Sequence, residues 1–203
     1  MAITYPLTIP EPLHDKLVLR AVDVAAISFS PWTGEQQVQQ HQGAWWEGEV
    51  FLPFMKRAQW AKWAAFLISL RGQVGTFYMP AYMTLSPQGS GGSPKVNGGG
   101  QTGATLNLKN FAVSTSNVLL AGDFLQVGDE LKQVLTDTSS NGSGYATVDI
   151  YPPLRESPAN DANVILDNPK GLFRLASNKR QWTLSPGDID RKSTRLNSSH
   201  GKL

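Results

Sequence analysis

The opening part of the chain alternates with a period of two. In "LVLRAVDVAAISFS" (Leu17 to Ser30), Leu17, Leu19 and Ala21 point one way and Val18, Arg20 and Val22 the other, which predicts a strand. "SPWTGEQQVQQHQ" predicts a turn at Pro31 to Gly34 and then a polar, edge-like strand from Gln36 to Gln42, with Val38 between Gln36 and Gln40. "AWWEGEVFLP" returns to aromatic and β-branched residues, a strand carrying Trp46 and ended by Pro53. The period then changes. Trp60, Trp63, Ala64, Leu67 and Leu70 share one face of a helix within "PFMKRAQWAKWAAFLISLRG", and that face needs a sheet to cover it. Gly72 stands where a left-handed cap would end the helix, and Arg71 would complement its dipole. "GTFYMPAY", with Phe77, predicts a further strand.

"SPQGSGGSPKVNGGGQTG" (Ser86 to Gly103) breaks this pattern: its composition predicts a coreless linker or long loop. Short strands resume in "ATLNLKNF", "VLLAGDFLQVG", "ELKQVLTD", "GYATVDIYPPL" and "ANVILD". Turns are expected at Gly122-Asp123, Gly128-Asp129 and Asn141-Gly142. So many short strands in a small span predict a closed barrel or sandwich. "LFRLASNKRQWTLSP" predicts a last strand pair, closer in character to the first segment than to the insertion.

The absence of cysteine removes disulfides, thiolate metal sites and a Cys nucleophile. Neither a signal peptide nor an apolar run of about 20 residues is present, so no membrane partner is expected. The formal charge is +2, but Asp190 to Leu203 holds four basic residues and one acid; without it 14 basic residues face 15 acidic ones. A nearly neutral body does not predict a nucleic-acid partner.

Candidate chemistry is thin. His14, His41 and His200 lack neighbours at metal-ligand spacing, there is no GxSxG elbow, and the Gly-rich run has no GK[ST] to hold a phosphate. Asp123, Asp129 and Glu130 have the composition of an acid–base or calcium group, but Gly-Asp at a strand end is ordinary turn chemistry. No catalytic residue, metal site or cofactor is expected, and the chain is not read as an enzyme.

At "WWEGEVFLPFMKRAQWAKWAAFLISLRGQVGTF" the chain resembles the distal tail proteins of long-tailed bacteriophages. The matching residues are Trp46, Gly48, Val50, Leu52, Pro53, Ala58, Ala61, Ala65, Phe66, Leu67, Leu70, Arg71, Gly72, Gly75, Thr76 and Phe77. The resemblance continues through "LLAGDFLQVGDELKQV" and "GLFRLASNKRQW". Family members carry a tighter turn of the "GDP" type where this chain has "YMPAYMTLSPQGS".

The resemblance implies a mainly β fold: a β-sandwich belt domain with one packed amphipathic helix, interrupted by a small OB-like barrel. Residues 1–84 and 167–189 would form the belt, and 85–166 the insertion with its Gly-rich entry loop. It further implies a ring-forming structural adaptor, a hexamer in the virion that joins the tail tube to the receptor-binding tip. Its partners would be other copies of itself, tube and hub proteins, and host cell-wall glycan. Assembly would take place in the bacterial cytoplasm. The alternative is a carbohydrate-binding module of a phage tail. Trp46, Trp60, Trp63, Leu67, Leu70, Gly72 and Phe77 are the core candidates, and Gln36, Val38 and Gln40 the assembly candidates. "DRKSTRLNSSH" resembles the translation of a sequencing adapter, so 190–203 is expected to be adapter-derived or a disordered tail.

Overall fold

The computed structural model describes residues 3–11, 16–53, 55–81, 86–180 and 195–199. They are mainly β, with one α-helix among the described residues. Among the described residues, twelve strands divide between two six-stranded sheets. The first takes β1 (Leu7–Thr8), β2 (Lys16–Phe29), β3 (Gln36–Phe51), β4 (Thr76–Pro80), β11 (Lys170–Leu175) and β12 (Arg195–Ser199), ordered β1-β4-β11-β12-β3-β2. The second takes β5 (Lys95–Val96), β6 (Gly103–Lys109), β7 (Phe124–Val127), β8 (Glu130–Val134), β9 (Ala146–Leu154) and β10 (Val164–Ile165), ordered β10-β7-β8-β9-β6-β5.

The second sheet curls until it is nearly closed. Its two end strands meet: the Val96 N–H donates to Ala162 O at 2.9 Å and the Val164 N–H to Pro94 O at 3.1 Å. Leu106, Leu108, Leu125, Val148 and Ile150 fill the inside. Gly128 and Asp129 form the two-residue hairpin between β7 and β8, with Gly128 at φ +58°.

Helix α1 (Arg57–Ser69) lays Trp63, Phe66 and Leu67 into the core of the first sheet, with Leu70 just past its end. Phe66 packs edge-on against both Trp63 and Phe77. Trp60 and Ala64, expected on the buried stripe, are only half-buried. The helix stops on two left-handed residues, Arg71 (φ +49°) and Gly72 (φ +73°). A side chain at Gly72 would also collide with Asn178, whose Oδ1 accepts the Gln73 N–H. Arg71 lies beyond the last turn, and it is Arg180 that serves the helix's C-terminal end, donating to Leu67 O at 3.0 Å.

Two expectations need correction. The Gly-rich run is not a coreless linker, because it contains β5 and fully buried Val96. Its glycines allow close backbone contact: a Cβ at Gly89 would lie 2.6 Å from Val118 O, where Ser90 and Gly91 donate to Asn117 O and Val118 O. In the segment read as a tail, Arg195–Ser199 forms β12, paired along Glu47 to Phe51 of β3 and touching Arg174 and Leu175 of β11. Backbone pairing tolerates almost any side chain, so a polar segment can fill that place between two strands. The second strand expected after "LFRLAS" lies largely outside the described residues.

The sheets meet along an aromatic seam. Trp46 of β3 packs edge-on against Tyr151, with ring centroids 5.1 Å apart, and tilted against Phe124 at 5.9 Å, and its Nε1–H donates to Leu131 O at 3.2 Å. The Tyr151 hydroxyl donates to Val22 O at 3.0 Å, and Arg155 donates to Ala44 O. Burial pushes Tyr151 up to about 12, with the Asp23 carboxylate adding to the shift. A folded pKa raised above the unfolded value of about 10 gives stability that is present below pH 10 and lost as pH rises through 12. Thermal midpoints measured from pH 9 to 12 should therefore fall, and fall less steeply in Tyr151→Phe.

Candidate assembly interface

β2 and β3 run on past the body of their sheet as a two-stranded arm. The turn between them is held by Ser30 N–H to Glu35 O at 2.9 Å and Gly34 N–H to Ser30 O at 3.0 Å, with Gly34 at φ +73°. The register shifts where Asp23 pairs with Ala44 but Ala25 with Gln40, which loops out residues 41–43 of β3. Below this bulge Ala44 and Trp46 are buried. Above it every residue from Ala25 to Gln40 is exposed except half-exposed Ser30.

Alternation fixes what the arm presents. Ala25, Ile27 and Phe29 share a face with their cross-strand partners Gln40, Val38 and Gln36, while Ala26, Ser28, Gln37 and Gln39 occupy the other. Ile27 (67% exposed), Phe29 and Val38 form an apolar stripe, and Trp32 at the tip is 93% exposed. Glu35 is the only formal charge from Val24 to Trp46. Two strands alone are marginally stable in water, and the exposed apolar stripe makes the arm the candidate surface for an interaction.

The structure thus separates the sequence candidates into two groups. Trp46, Trp63, Leu67, Leu70, Gly72 and Phe77 are buried in the body with Trp60 at its margin, and Gln36, Val38 and Gln40 lie together on the open arm. The sequence reading passed over Ile27, Phe29 and Trp32, although the alternation of Ala25, Ile27 and Phe29 was there to be followed past the sheet.

The three carboxylates weighed for acid–base work are engaged in the fold. Asp123, 3% exposed, accepts backbone N–H groups from Gln88 at 2.8 Å, Gly89 at 3.3 Å and Leu120 at 2.9 Å. Asp129 accepts the Tyr78 hydroxyl at 2.5 Å, a hydrogen bond that raises that tyrosine's pKa. Glu130 pairs with Lys132 and accepts the N–H groups of Arg155 and Glu156. Burial lowers the Lys132 pKa against the pull of Glu130. His41 is exposed on the arm, while His14 and His200 lie outside the described residues. Among the described residues no group of three His, Asp or Glu side chains is placed to hold a metal ion, and no helix is long and apolar enough to cross a membrane.

In class, this is a mainly β chain with a nearly closed six-stranded barrel-like sheet and a projecting two-stranded arm. No protein-family model matches it, and no curated protein does.

Proposed function

We propose that this chain is a structural subunit of a long-tailed bacteriophage tail tip, a ring-forming adaptor between the tail tube and the receptor-binding tip. The observation that carries the proposal is the β2–β3 arm, whose Ile27, Phe29 and Val38 the chain's own fold leaves uncovered. With Glu35 as its single charge, the arm meets another copy without strong like-charge repulsion. The resemblance at "WWEGEVFLPFMKRAQWAKWAAFLISLRGQVGTF" supports the same role. In this role the first sheet belongs to a β-sandwich belt that forms the ring, and the second is an OB-like barrel carried outward. The partners are further copies in a hexamer, tube and hub proteins, and host glycan. The chain's place is the virion.

Light-scattering mass with negative-stain imaging tests this. The expected result is a closed ring of about six 22.1 kDa chains. Ile27→Asn with Phe29→Asn should reduce it to monomer while shifting unfolding stability by only about 0.5 kcal/mol, since both positions are exposed. A parent chain that stays monomeric, or a variant that still closes the ring, would overturn the proposal.

A further inference from the structure

No acidic residue occurs between Glu49 and Asp123. Within that stretch lies α1, and Lys56, Arg57, Lys62 and Arg71 along and beside it are all exposed. The core side of the helix is Trp63, Phe66, Leu67 and Leu70. At 100° per residue the opposite side is Arg57, Ala61, Ala65 and Ile68, and Ile68 and, just past the helix, Val74 are each more than half exposed. Arg174 Nη1 donates to Gln73 O and Val74 O, bringing another guanidinium to that end. The outer face is therefore apolar along its middle and cationic around its rim.

The arm has the opposite pattern, an apolar stripe with one negative charge near its tip. The sizes agree as well: thirteen helical residues span about 20 Å, and the free strand Ala25 to Phe29 spans about 17 Å. Both surfaces are exposed in the single chain, so they do not cover each other within it.

We propose that the outer face of α1 is the docking site for the β2–β3 arm of a neighbouring copy. Ile27, Phe29 and Val38 cover Ile68 and Val74, and Glu35 enters the cationic rim at that end, beside Arg71. This deepens the self-association proposed above and rests on it. The contact joins two different surfaces, so it is heterologous, the kind of contact that generates closed rings when its rotation closes.

The absence of cysteine makes the test direct. Full-length Val38→Cys and Ala65→Cys chains, both altered at exposed positions, are oxidised with diamide separately and mixed. The expected result is a disulfide-linked dimer in the mixture and little in either variant alone. Adding Glu35→Lys to the Val38→Cys chain should lower the yield at least about tenfold, and Arg71→Glu in the partner should restore it. A Val38–Val38 position dimer as the main product would overturn the inference in favour of arm-to-arm pairing. A ring by light scattering without the mixed cross-link would sink the docking assignment and leave the ring proposal standing. A monomer without cross-link would sink both.

Discussion

Trp46→Ala should lose about 3–5 kcal/mol of unfolding free energy, the range for truncating a large buried aromatic. Such a loss is a large fraction of the roughly 5–15 kcal/mol that holds a typical domain folded. Trp46 is 4% exposed and stands where the two sheets meet, so its removal empties space on both sides of the seam. It also forfeits the edge-on contact with Tyr151 and the indole bond to Leu131 O. Urea denaturation followed by circular dichroism would measure the loss, and Trp46→Phe, which keeps much of the ring volume, should recover part of it. Because Trp46 couples the sheets, the variant's transition should also broaden or split as each begins to melt by itself. A sharp transition within 1 kcal/mol of the parent would show that the seam does not depend on this residue.

Asp123→Ala should lose about 3–5 kcal/mol, because three backbone donors give up one buried acceptor and each orphaned donor costs about 1–3 kcal/mol. Those donors belong to Gln88, Gly89 and Leu120, so this single carboxylate ties the Gly-rich entry segment to the β7 turn. Amide exchange should accelerate at these three positions before it does in the strands. Asp123→Asn keeps one acceptor oxygen and should fall between. Uniform exchange across the barrel, with no local acceleration at Gln88 and Gly89, would count against the clamp.

The legible part of this fold was whatever repeats. Period two gave β2 nearly to the residue, "GTFYMPAY" enclosed β4, and the apolar spacing of Trp63, Leu67 and Leu70 gave α1 and its buried face. β3 was harder, because a polar half and an aromatic half read as two elements while the backbone runs through both from Gln36 to Phe51. What decides that continuity is the partner strand β2, which pairs with both halves. The Gly-rich stretch misled for a related reason: composition records the absence of side chains but not the close backbone approach that their absence permits at Gly89. For the candidate surface, Gln36, Val38 and Gln40 were legible as polar-edge residues. Their alignment with Ile27 and Phe29 needed the register, which single-strand alternation does not supply.

The order of the strands along the chain has a consequence for synthesis on the ribosome. All six strands of the barrel-like sheet come from one continuous stretch, Lys95 to Ile165, so that sheet can complete itself as soon as this stretch has emerged. The first sheet cannot, because β4 needs β11, and the pairing of Tyr78 with Leu172 spans nearly the whole intervening chain. The nascent chain therefore carries α1 with its core still lacking Leu131, Phe173 and Leu175 for the seconds needed to translate the insertion at about 5–20 residues per second. Once complete, the barrel offers Phe124, Leu131 and Tyr151 as native neighbours for Trp46 across the seam, making it the natural scaffold on which the slower sheet is laid down.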